Sequence, residues 1–319
     1  MANRSNRPSA LNAPSAAAPS PEVDISGTGA SSKVTARLPS GESVEVLLYG
    51  ATVISWKSDG GKVENLWVSD AAKLDGTKAV RGGIPVVFPV FGPPPKDHAT
   101  SALPQHGFAR TSRWEFLGKS SSEDALDASS VKLDFGLYSS NLSDEAKKAW
   151  PYDFGLVYSV TLSKEGLQTV VNVRNEGTKV FEFQLLLHTY LRVKDISKTT
   201  VTGLAGVPYV DKVLDATTHT QSSPTLSITG EVDRVYASIP QDTTTVLEDG
   251  KPRFDVVRDN VDDTVVWNPW KEKAAALSDF EPKDGFQQLL CVEVGSVQGW
   301  QKLEAGDGFE GGQLIKSLL

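Results

Sequence analysis

The chain has 319 residues, 39% of them hydrophobic and 23% charged, which suits a globular protein and allows one large core or two ordinary domains. A net charge of −8 without any Lys/Arg-rich stripe denies nucleic acid the counterion-releasing patch that it needs, and no apolar run approaches the roughly 20 residues of a membrane span. The single cysteine, Cys291, excludes an intrachain disulfide and points to a reducing, cytoplasmic setting.

Residues 1–22 are Ala, Ser, Pro and Asn with little that is large and apolar. They cannot offset the entropy of ordering, so a disordered tail is expected. Arg4 and Arg7 precede any acid, as in a transit peptide, but the prolines oppose the amphipathic helix such a peptide uses. From Val23 onward, strand-length runs such as SVEVLLYG, VKLDFGLY, FGLVYSVTL and LQTVVNVRNEG recur between Gly, Pro, Asn, Asp and Ser clusters, an all-β signature. The one helix that stands out is short, with Ser143 or Asp144 as N-cap before EAKKAW and Pro151 as the stop. No βαβ alternation, repeat or linker is visible, so 23–319 reads as one large antiparallel β-sandwich domain.

Four segments carry candidate chemistry. RGGIPVVFPVFGPPP is too rich in Gly and Pro for a regular central strand; with the following LPQHGFARTS it brings Arg81, Gln105, His106 and Arg110. Arginine forks suit phosphate oxygens, and Gly82 and Gly83 could let backbone N–H groups approach an anion. FEFQLLLHTYLRV, taken as a strand, puts Phe181, Phe183, Leu185 and Leu187 on one face and His188 with Tyr190 on the other. YVDK and DRVY offer Asp211 for sugar hydroxyls, with Lys212 and Arg234 as open cases. QLLCVEVG reads as a strand buried on both faces that contains Glu293, a carboxylate that needs a partner or a task. Each feature also has a plain reading: a core or edge histidine, a structural ion pair, surface arginines. Trp267, Trp270 and Phe280 are expected to be core or loop anchors. The four histidines lack the short spacings of zinc motifs, so no metal is expected.

In series, RGGIPVVFPVFG, LPQHGFARTS, LLLHTYL, YVDK, DRVY, VVWNPW and DFEPKDGFQQLLCVEVG resemble the glucose-6-phosphate 1-epimerase family, from about Ser32 to near the C-terminus. The resemblance implies a galactose mutarotase-like sandwich, no cofactor, and a hexose 6-phosphate as substrate of a monomer. It implies His188 and Glu293 as the catalytic pair, Arg81 and Arg110 flanking the pocket, His106 as a second pocket histidine and Asp211 as a sugar-binding acid. On that reading Glu293 deprotonates O1 while the His188 imidazolium protonates O5. Two rivals remain open: a glycoside hydrolase using Asp211 and Glu293, and a non-catalytic sugar-phosphate binder.

Overall fold

Alternation along the strands assigns each residue to one side of a sheet, and the computed structural model, which describes residues 19–121 and 129–318, realises it in three antiparallel sheets. The expected tail falls almost wholly outside the described residues. Five short strands from Glu22–Ser26 to Val63–Glu64 pair in chain order, and Val34, Val44, Val46 and Val53 of this sheet join the main core. A nine-stranded sheet, built on Ser130–Tyr138, Phe154–Ser163, Leu167–Asn175 and Gly308–Ser317, supplies one wall of the sandwich. The other wall has eight strands, among them Val86–Val87, Phe181–Leu187, Val232–Tyr236, Asp263–Asn268 and Leu289–Leu303.

The FEFQLLLHTYLRV stretch shows how the sequence builds that wall. Phe181, Phe183, Leu185 and Leu187 face the main core, while Leu186 packs on the opposite side with Val87, Val235 and Val265. The expected single strand is interrupted at His188 and Thr189, resuming as Tyr190–Arg192. Carbonyls of the Gly- and Pro-rich segment take the edge amides there: His188 N–H donates to Pro85 and Tyr190 N–H to Gly83, both within 3.0 Å. Within the first strand a bulge falls at Gln184, whose Oε1 accepts the Phe91 N–H and whose Nε2 donates to the carbonyls of Val297 and Gly299. That one amide fastens the Gly- and Pro-rich segment to the Leu289–Leu303 strand.

The glycine pair in RGGIP allows close packing: a Cβ on Gly82 would lie 2.4 Å from Val68 Cα. A Cβ on Gly83 would lie 2.1 Å from the Val53 carbonyl oxygen, at a φ of +68°, and the Gly83 N–H already donates to Trp67. Gly295 is required for the same reason, since its Cβ would stand 2.3 Å from the Leu185 oxygen.

The helix Asp144–Ala149 starts as expected, with Ser143 Oγ accepting the Ala146 N–H at 3.2 Å. A second helix, Trp270–Ala276, was not anticipated. Its Pro269 and the run of alanines at 274–276 are ordinary helix signals, obscured by the aromatic VVWNPW before them. No helix among the described residues is long and apolar enough to cross a membrane.

Phe88 sits at the centre of an aromatic cluster with Phe108, Trp150, Phe154 and Phe183, fully buried. Phe88→Ala is expected to cost about 3–5 kcal/mol, because the rigid cluster cannot collapse into the void; urea unfolding checks this.

Candidate active site

The outward face of the eight-stranded wall carries a cavity of about 380 Å³, within the range usual for small-molecule sites. Strand register decides what lines it. Glu293 pairs with Val265 across the Asp263–Asn268 strand, and Asp233 pairs with Trp267 one strand further on; all four side chains reach the cavity. Even-numbered Leu290, Val292 and Val294 turn into the core instead, so the strand is buried on both faces, as its near-continuous apolar run predicts.

On the cavity floor, His188 Nδ1 lies 3.2 Å from Glu293 Oε1, the carboxylate being 1% exposed. The contact lacks hydrogen-bond geometry. His188 Nδ1 and Glu293 Oε2 are both buried without a hydrogen-bond partner among the described residues. Tyr190 stacks on the imidazole at 4.6 Å, with Trp267 edge-on at 6.0 Å. Unpaired buried polar atoms cost free energy, and two of them meet here on residues that line the cavity.

Burial drives the Glu293 carboxyl well above the usual range, with Asp233 adding to it and Lys212 and Arg110 opposing. Burial also pushes the His188 imidazole well down, assisted by His106, Arg110 and Arg81. Each effect favours the neutral group. Both directions act against the ion pair expected of Glu293 and His188, and a neutral pair and an ion pair hold the same single proton. His106 is pushed down to about 3, by burial first and then by Arg110, Lys212 and Arg81, so it acts as a neutral hydrogen-bonding ring. Its Nδ1 accepts the Gly92 N–H at 3.2 Å, from a left-handed backbone with φ 67°.

Arg81 and Gln105 line this cavity and also a second one, of about 400 Å³, which Arg110, Lys78 and Asp279 share. Asp279 grips Arg81 at Nε and Nη2, 3.3 and 3.4 Å, and Lys78 at 2.9 Å. Burial disfavours the Arg81 charge, but Tyr190 and Asp279 more than offset this and raise its pKa. Arg110 donates Nη2–H to the Gln105 carbonyl at 3.0 Å, and its buried Nε has no partner among the described residues. Three cations and one carboxylate leave this lobe with a net charge of +2.

Asp211 is not part of the cavity. It pairs with Arg234 in the register, its Oδ2 receives the Arg234 Nε–H at 3.1 Å, and its Oδ1 accepts the amides of Val213 and Leu214. Strand alternation turns Asp211 and Arg234 away from the site, and the acid that faces it is Asp233, whose pKa burial raises against Lys212 and Lys273. The sequence reading missed Asp233, Trp267, Phe91 and Lys273 as lining residues. DRVY contained the signal for the first, because neighbours on one strand face opposite ways, but choosing the face required the register.

His188, Cys291 and Glu293 bring one potential metal-ligand atom each within 4.8 Å of one another. Burial and then Glu293 raise the Cys291 thiol well above its ordinary range, and Arg81 and Arg110 oppose a cation, so this trio is a poor fit to a metal ion.

The chain matches the family model described as "Aldose 1-epimerase" over residues 32–316. It is 33% identical over 297 residues to a protein of Cenchrus ciliaris provisionally named glucose-6-phosphate 1-epimerase, covering 92% of this chain and 87% of that protein. A protein of the same provisional name from Escherichia coli strain K12 is 36% identical over 257 residues, 80% of each chain. Among solved structures, one provisionally titled a mutarotase, from Salmonella typhimurium, superposes with a TM-score of 0.75 at 26% identity, covering 92% of both chains. A galactose mutarotase related enzyme from Lactobacillus acidophilus shares the fold, with a TM-score of 0.66 at 16% identity over 90% of this chain and 97% of that one.

Asp211→Asn is expected to destabilise the protein by about 1–3 kcal/mol, since Arg234 and two amides lose a charged acceptor. Asp233→Asn should cost less than about 1 kcal/mol, because its Lys212 contact is a long, partly exposed ion pair. Paired urea denaturation curves decide the contrast.

Proposed function

Because the chain belongs to the aldose 1-epimerase family, we propose that it interconverts the α and β anomers of a hexose 6-phosphate, and that residues 23–319 form the one domain that does so. The observation that carries this reading is the meeting of His188 and Glu293, distant in sequence, at 3.2 Å on a cavity floor whose rim bears Arg81. The provisional names of its relatives in Cenchrus ciliaris and Escherichia coli supply the substrate class.

Anomerisation needs a base at the C1 hydroxyl and an acid at the ring oxygen. Glu293 takes the O1 proton, His188 delivers one to O5, and the C1–O5 bond breaks. The aldehyde turns about C1–C2, the ring closes on its other face, and the two groups exchange roles. The pair needs one proton between them at the start. No covalent intermediate is involved. Asp233 accepts sugar hydroxyls in the place expected of Asp211, and Trp267 presents an apolar wall. The phosphate rests on Arg81 and Arg110, where a dianion matches the +2 lobe. Asp211, tied to Arg234, cannot serve as the second carboxylate of a glycosidase, which weakens that rival. The molecule acts as a cytoplasmic monomer in this reading.

Exchange NMR of glucose 6-phosphate tests it: the protein should accelerate magnetisation transfer between the two C1 signals, and an unchanged exchange rate overturns the proposal. His188→Ala and Glu293→Ala should each lose about 10²- to 10⁴-fold in kcat. Arg81→Ala should raise KM much more than it lowers kcat, and an equal loss with unphosphorylated glucose would remove the phosphate from the argument.

A further inference from the structure

Lys212, in YVDK, has an unusual placement for a lysine on a turn. Its ammonium lies 3.9 Å above the Phe91 ring and 4.0 Å from Asp233 Oδ1, on the wall of the cavity that holds Glu293. The aromatic face and the carboxylate direct the charge inward. None of its N–H groups donates a hydrogen bond to a protein acceptor among the described residues.

The cations around the acid–base pair divide into two sets. Arg81 and Arg110 bear on His188, whereas Lys212 and Arg110 bear on Glu293. A phosphate dianion docked on the two arginines cancels their field at both groups. His188 then accepts a proton more readily, and Glu293 keeps Lys212 as its remaining favourable cation.

We propose that Lys212 is the electrostatic partner of Glu293: held by Phe91 and Asp233 on the wall of the cavity that Glu293 lines, its ammonium stabilises the negative charge Glu293 carries when it acts as base at O1. This rests on the proposed acid–base role of Glu293.

The other groups facing Glu293 are accounted for. Cys291, on the same strand, and Tyr190, stacked on His188, are buried with raised pKa values and stay neutral. His106, on its loop, is neutral as well. Asp233 opposes ionisation of Glu293, and Lys273 at the cavity edge is engaged by Glu231 at 2.8 Å.

The test is the pH profile of kcat for glucose 6-phosphate, which reports the groups of the substrate complex, in wild type, Lys212→Met and Lys212→Arg. A nearby cation lowers a carboxyl pKa, so its removal raises that pKa, and a base is competent only above it. The acid limb of Lys212→Met should therefore move up by about one pH unit, making it about tenfold slower below the limb. It should rejoin wild type at higher pH, and Lys212→Arg should keep the wild-type limb. An unmoved limb, or an equal loss at every pH, overturns the proposal. Infrared titration of the Glu293 carboxyl band in the presence of inorganic phosphate, taken as a difference against Glu293→Gln, should show the same upward shift in Lys212→Met. It needs no turnover. Absence of anomer exchange in wild type would sink the proposed function, while an unshifted band would sink the role of Lys212.

Discussion

A carboxyl and an imidazole buried side by side on residues that line a cavity are the constraint around which this molecule is arranged. Burial alone would neutralise both groups. The sandwich tolerates the arrangement because Glu293 is embedded in a continuous apolar strand, and because Tyr190 and Trp267 hold the imidazole ring on two sides. Arg81 and Lys212 line the same cavity as the pair, so its cations and its acid–base groups share one space.

The same wall does two jobs through the two-residue period of its strands. Leu290, Val292 and Val294 seal the core while Cys291 and Glu293 face outward. Phe181, Phe183, Leu185 and Leu187 do the same on the neighbouring strand, ahead of His188. The Gly- and Pro-rich segment runs beside this strand, satisfies its edge amides with the carbonyls of Gly83 and Pro85, and carries Arg81 and Phe91 to the rim. Rigidity of the floor and reach of the rim thus come from adjacent stretches of chain.

Asp279 has a parallel part in the second lobe. A single buried carboxylate fixes the Arg81 fork and takes up the charge of Lys78, so two arginines can face one small space without a surplus of repulsion. Asp211 does comparable work for Arg234 on the other side of the sheet. These two acids are structurally alike, and only their position relative to the cavity separates a rim residue from a core staple.

The sequence by itself determined the all-β class, the short helix before Pro151 with Ser143 or Asp144 as its cap, the two faces of FEFQLLL and the burial of Glu293. These follow from period-two alternation, side-chain capping chemistry and the cost of an apolar run around a charge, all of them local. His188, Glu293, Arg81, Gln105, His106 and Arg110 were candidates that the family resemblance, more than their local pattern, singled out, and the structure gathers them around two cavities that share Arg81 and Gln105. The choice of Asp233 over Asp211, the inward turn of Lys212, and the close packing that Gly82 and Gly83 permit came only from the tertiary structure. Each depends on which strand lies beside which and in what register, and a shift of one residue reverses every side chain.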